Sequence, residues 1–201
     1  MNPASGSDTY NVAVGYDAGG SITTGTGNTL IGGQAGDALT VGELNVAVGQ
    51  AALGADDVGS RNVAVGYASF QSQNAAGATA NNFYNTGVGY GTGSSITTGY
   101  YNTFVGGLAG DGSDDGVSNT AVGYNALSAN ASNLNTAVGT DALRDCTGVQ
   151  NTGVGSDALR GLTTGINNTA MGYASIGQTT NTGNYNSTYG YAAGYELTSG
   201  G

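Results

Sequence analysis

Apolar phrases only three or four residues long recur along this chain, each opened by Asn, closed by Gly and separated from the next by polar, Gly-rich stretches. Eleven such phrases, of the type NVAVG, NTLIG, NTAVG or NTAMG, start at Asn11, Asn28, Asn45, Asn62, Asn85, Asn102, Asn119, Asn135, Asn151, Asn168 and Asn186. Each has a Gly four residues on, at Gly15, Gly32, Gly49, Gly66, Gly89, Gly106, Gly123, Gly139, Gly155, Gly172 and Gly190. The Asn-to-Asn steps are 17, 17, 17, 23, 17, 17, 16, 16, 17 and 18 residues. A near-constant period of this length predicts a solenoid in which every repeat is one rung on the next. The expectation is an all-β parallel β-solenoid (a β-roll) of about eleven 17-residue rungs, with residues 1–10 as lead-in and 11–201 as one repeat domain.

With Asn as position 0, positions +1 and +3 share one side of an extended segment and +2 takes the other. Position +3 runs Val14, Ile31, Val48, Val65, Val88, Val105, Val122, Val138, Val154, Met171, Tyr189, and +1 is Val, Thr or Ser throughout. These residues suit a strand, and we expect them to face the core. Position +2 runs Ala13, Leu30, Ala47, Ala64, Gly87, Phe104, Ala121, Ala137, Gly153, Ala170, Thr188. A small apolar outer face predicts a strand covered on both sides, with another copy of the chain as the cover. A second, wetter strand is expected near +11 to +14, in SITTG, ALTVG and GLTTG. The Gly at +4 implies positive φ or a corner too tight for a Cβ. The Asn implies either a left-handed residue or an amide ladder. Eleven rungs at about 4.8 Å make a rod roughly 50 Å long.

The rungs also repeat in blocks. YDAGGSITTGTGNTLIGGQAGDA at 16–38 returns as YGTGSSITTGYYNTFVGGLAGDG at 90–112, and an insertion at 71–84 accounts for the 23-residue step. Neither MNPASGSDTY nor YELTSGG has the look of a polar cap, so a piece of a longer fibre, or a subunit stacking end to end, is expected.

Composition narrows the function more than the fold. Lys and His are absent, and Arg61, Arg144 and Arg160 face 13 carboxylates for a net charge of −10. That balance disfavours nucleic acid and anionic membrane as partners. The start has no basic, apolar signal character, and no apolar run approaches the ~20 residues of a membrane helix. Without His, no Ser/His/Asp set exists, and Cys146 stands alone, so it is read as a half-buried corner residue rather than a nucleophile. Asp56–Asp57 and Asp114–Asp115 fall in the outer half of their rungs as solvated turns, with no burial to separate their pKa values. No enzyme and no cofactor is expected. GDGSDDG at 110–116 sets Asp111, Ser113 and Asp115 at alternate positions, a weak calcium candidate that lacks a distal bidentate Glu. Tyr recurs at +5 and at the bulges. The rings are expected to cover rung edges, and Tyr84, Tyr100, Tyr101 and Tyr124 are the candidates for contact with a cell-surface glycan or protein receptor.

NTAVGYNAL and NTAVGTDAL resemble the head repeats of trimeric autotransporter adhesins, of the type N-S-V-A-I-G-x-x-S, and the N-T-A-x-G-x-x-A-L repeats of predicted phage tail-fibre proteins. The resemblance runs from Asn11 to about Gly194. It implies a parallel β-roll with three chains round one axis, outside a cell or on a virion. The adhesin period is shorter, near 14 residues, and no stalk or anchor is present here, which tilts the expectation toward a tail fibre. The function expected is thus a rigid, homotrimeric structural or adhesive fibre segment. The alternatives are a self-stacking extracellular filament subunit and a monomeric binding solenoid such as an ice-binding protein.

Overall fold

A computed structural model describes residues 9–74, 82–176 and 181–197 of the chain. The fold is one sheet of eleven three-residue strands: β1 Val12–Val14, β2 Thr29–Ile31, β3 Val46–Val48, β4 Val63–Val65, β5 Thr86–Val88, β6 Thr103–Val105, β7 Thr120–Val122, β8 Thr136–Val138, β9 Thr152–Val154, β10 Thr169–Met171 and β11 Ser187–Tyr189. Each strand occupies +1 to +3 of its rung. All pairings are parallel and join chain neighbours in the order β1 to β11, and +1, +2 and +3 of one rung lie opposite the same positions of the next. Among the described residues there is no helix.

The Asn side chain is what closes each rung. Asn102 Oδ1 accepts from the backbone N–H of Asn119 at 2.9 Å, and Asn102 Nδ2 donates to the carbonyl of Gly116 in its own rung at 2.8 Å. The same pair of bonds repeats along the rod, so the Asn residues form a buried amide ladder. Each bond satisfies a polar group that could not otherwise be taken out of water. The left-handed residue is not the Asn but the one before it, as at Leu44, Tyr84 and Leu134. The Gly at +4 has φ between 120° and 141°, and from Gly15 to Gly172 an added Cβ would lie no more than 2.7 Å from the carbonyl oxygen of the next rung's Gly. Both reasons for Gly therefore apply at once.

Two expectations about the rung are corrected. First, +2 faces the core of its own chain and not a neighbouring copy: Leu30, Ala47, Ala64, Phe104, Ala121, Ala137 and Ala170 are fully buried. Positions +1 and +3 are the outward ones. Second, +11 to +14 is not a strand. That stretch is held between rungs by backbone bonds such as Thr40 N–H to the Asp57 carbonyl, with no ladder.

The core is filled from the turn side, by Ala at +7 and by Leu, Phe or Ile at +8 or +11. Space is shared between +2 and +8. Where +2 is large, +8 is Gly: Leu30 fills the place of a Cβ at Gly19 and Gly36, and Phe104 does so at Gly93 and Gly110. Where +2 is Ala, +8 is usually large, as in Ala121 with Leu127, Ala137 with Leu143, Ala64 with Phe70 and Ala170 with Ile176; the first rung, Ala13 with Gly19, is filled instead by Leu30 of the next. Phe70 at +8 is matched by Gly87 at +2 of the next rung. A close-packed core this narrow leaves no other arrangement.

Candidate functional site

Because +2 turns inward, the sheet presents +1 and +3 to solvent as two straight ranks. The +3 rank is Val, Ile, Met or Tyr and half-exposed or exposed along its length, with Val14 at 57 % and Tyr189 at 67 % near its ends. The +1 rank is Val12, Thr29, Val46, Val63, then six consecutive Thr at 86, 103, 120, 136, 152 and 169, then Ser187. Flanking ranks at −1 and +5 carry most of the Tyr residues. Six steps of strand by about 50 Å gives a mixed face of roughly 1,000 Å², in which the apolar +3 rank runs beside the Thr-rich +1 rank.

Charge is segregated around the cross-section. Positions +1, +3 and +5 carry no charged residue, and −1 carries only Arg61. Every carboxylate among the described residues lies between +6 and +15, on the turn side of the rung. Arg144 and Arg160 lie there too, bound to Asp145 at 2.8 Å and Asp157 at 2.9 Å. The hydrogen bond that Arg144 donates to Asp145, helped by the Asp145 charge, raises the guanidinium above its ordinary value against a desolvation that lowers it.

The Tyr candidates separate into two edges. Tyr84, Tyr100 and Tyr101 come together on the −1 edge: Tyr84 and Tyr101 centroids are 5.8 Å apart, and Tyr100 meets Tyr101 edge-on at 4.9 Å. Arg61 lies over Tyr84 at 5.8 Å and donates to Asn82 Oδ1. Tyr124 stands apart on the +5 edge, exposed. On that edge Tyr67 stacks on Tyr90 at 5.3 Å and Tyr173 on Tyr191 at 5.4 Å, nearly parallel in both pairs. Rings stacked along the rod cover each other's faces and tie one rung edge to the next. Part of the 71–84 insertion beside the Tyr84 cluster lies outside the described residues.

The remaining candidates are redistributed by the fold. Ser113 occupies the core at +11 and is fully buried, Asp111 is half-buried and Asp115 is exposed, so the three calcium candidates do not share a face. Burial, opposed by a hydrogen bond from Ser128, raises Asp111 above the usual carboxylate range. Asp114 and Asp115 are solvated as expected. Asp56 is the correction: it is fully buried, and desolvation pushes its carboxyl up to about 6. Cys146 is likewise corrected from half-buried corner to core, and burial pushes its thiol up to about 11, away from nucleophilic use. No helix of the described residues is long and apolar enough to cross a membrane.

Sequence reasoning missed the second Gly of the rung, at Gly25, Gly42, Gly59, Gly99, Gly116 and Gly165, whose carbonyl takes the Asn amide. Its signal was a Gly recurring fourteen residues after the Asn in six of the rungs, those starting at Asn11, Asn28, Asn45, Asn85, Asn102 and Asn151. Comparison of the chain with protein-family models, curated proteins and solved structures finds no match.

Proposed function

We propose that this chain is a rigid fibre segment in which three copies pack their sheet faces round a common axis, serving as a structural or adhesive spacer on a virion tail fibre or cell surface. The observation that carries the reading is the uncharged face of +1 and +3 β-branched residues on a chain of net charge −10. Turned inward, this face buries Val and Thr against their equivalents. The carboxylates of all three copies then stay outside, where water and salt screen them. A face of roughly 1,000 Å² exceeds the ~800 Å² per partner of a standard stable interface. The axis is thus the +1/+3 face, and the +2 stripe is each chain's private core.

Cysteine placement tests the geometry. Val122→Cys stands in the middle of the face and Asp115→Cys on the turn side. Under mild oxidation Val122→Cys is expected to give disulfide-linked dimers on a non-reducing gel, with Asp115→Cys remaining single. Equal, low cross-linking of both would contradict the arrangement.

A second reading is favoured by one feature, the six consecutive Thr of the +1 rank, half-buried except for the exposed Thr103. A free, monomeric face of this kind is suited to binding ice. Thermal hysteresis in a supercooled droplet, with a single-chain mass, is the result that selects it over the fibre.

A further inference from the structure

Beside the +1 and +3 ranks run two further columns, at −1 and +5, and both are rich in large exposed side chains. At −1, Tyr10, Leu44, Tyr84, Tyr101, Leu134 and Tyr185 are exposed. At +5 the same holds for Tyr16, Tyr67, Tyr90, Tyr124, Tyr173 and Tyr191. The two columns together take ten of the 13 Tyr, and neither carries a carboxylate. Arg61, at −1, is the one charge on either edge. Arg144 and Arg160 are each held by an Asp, whereas Arg61 has no carboxylate partner among the described residues and lies over the Tyr84 ring. Tyr and Arg gathered where Asp, Glu and Lys are absent is the composition of a surface that meets another protein.

We propose that these columns are the two halves of one seam: the −1 edge of each copy closes on the +5 edge of the next, with Arg61, Tyr84 and Tyr101 set against Tyr67 and Tyr90. The seam presupposes the three-copy assembly proposed above, and it fixes which edges meet and at what height.

Symmetry decides the pairing. In a closed ring of identical copies each contact joins one patch to a different patch. With the axis parallel to the rod, a −1 edge therefore meets a +5 edge and never another −1 edge, and rungs of equal height come together. From −1 to +5 is six strand steps, about 20 Å. Three faces of that width enclose a triangular prism whose sides lie about 6 Å from the axis, a depth suited to inward Val and Thr at +1 and +3. The corners of the prism are where −1 and +5 meet. Two copies laid face to face with their rods antiparallel would instead set −1 over −1.

At equal heights the two edges match in content. The rung starting at Asn62 offers Arg61 on one edge and Tyr67 on the other, and the rung starting at Asn85 offers Tyr84 and Tyr90. Tyr67 and Tyr90 are stacked 5.3 Å apart, an aromatic post two rungs tall. Arg61 over Tyr84 at 5.8 Å makes a post of the same height that carries a cation. One rung further, Tyr100 meets Tyr101 edge-on at 4.9 Å, and the opposite edge has Gly107, which leaves the room that this pair needs. A guanidinium brought beside the neighbour's Tyr67 gains a cation–π contact, stronger where the two copies exclude water. The Tyr rings are covered at the corner while their hydroxyls reach water.

Paired cysteines read the seam on the full chain. Tyr84→Cys and Tyr90→Cys in one chain stand about 20 Å apart across the strand, beyond the reach of an internal disulfide. Under mild oxidation the double variant is expected to run as three linked chains on a non-reducing gel, and each single variant as one chain. Ser118→Cys with Tyr124→Cys, at another height, is expected to link in the same way, and it serves if loss of the Tyr84 ring harms folding. Tyr84→Cys with Tyr124→Cys is out of step by two rungs, about 10 Å, and is expected to stay single. Linked dimers from Tyr84→Cys alone, or equal linking of the matched and mismatched pairs, would overturn the seam. Light scattering separates that result from failure of the assembly itself. A three-chain mass with no linking at either matched pair refutes the seam alone, and a single-chain mass refutes the seam and the assembly together.

Discussion

Asn at position 0 carries more of this fold than any apolar side chain of similar size. Asn102 neutralises two backbone groups at once, the N–H of the next rung's Asn and a carbonyl of its own turn, and the pattern recurs along the ladder, with Asn62, whose Nδ2 has no partner, making only the first bond. Asn102→Ala leaves both without a partner in a fully buried place. Each orphaned group costs about 1–3 kcal/mol, so chemical denaturation is expected to show a loss of roughly 2–6 kcal/mol. Asn102→Asp keeps the acceptor and loses the donor to the Gly116 carbonyl, while adding a buried charge. It should be at least as damaging at pH 7 and partly relieved in acid. The Gly at +4 is equally specific: Gly106→Ala combines φ of 129° with a collision against the Gly123 carbonyl. Left-handed strain alone costs of order 1–3 kcal/mol, and the collision adds to it.

The strand, three residues long, was legible to the residue in all eleven rungs, because the N–x–x–x–G frame marks both its ends. Which way it faces was not legible from alternation. Both sets of positions are apolar, and β-branched Val and Thr look like better core residues than Ala. The core is too narrow for that assignment, since Leu, Phe and Ile arrive from +8 and +11 and leave room only for Ala or Gly opposite. The reciprocal sizes of +2 and +8, Phe104 with Gly110 against Ala121 with Leu127, were present in the sequence and contain the answer. The absent second strand has a similar cause. Thr-rich runs such as SITTG have strand composition, but each is cut by a Gly that must bring its carbonyl to the Asn amide.

This reciprocity yields a test at the level of one rung. Phe104→Ala leaves a cavity and is expected to cost about 3–5 kcal/mol. Gly110→Leu alone forces a side chain into the Phe104 ring. The double substitution converts the rung to the Ala121–Leu127 type, and Leu127 already tolerates φ of 56° in the same column. The double variant should be more stable than either single one. A thermal melt in which it is worse than both would disprove the shared-space account.

On the scale of the whole molecule, the rod has two sides of opposite character. Its turn side holds the carboxylates among the described residues and meets water, and its sheet side holds none and presents Val, Thr and Tyr. The stacked Tyr pairs and the Asn ladder stiffen it along its length. Candidate chemistry read from the sequence did not survive this arrangement intact. Asp111, Ser113 and Asp115 were dispersed, and Asp56, assigned to a solvated turn, lies in the core, because spacing along a strand or turn does not say which side of a rung a residue reaches. The +1/+3 face is the feature on which the functional account depends.

The most direct test is the absolute mass of the unsubstituted chain in solution, by light scattering behind a sizing column at neutral pH and moderate salt. The account predicts a single species of about three times 19.6 kDa. A stable species of 19.6 kDa would contradict it, leaving the sheet face open to solvent and the assembly round it without support.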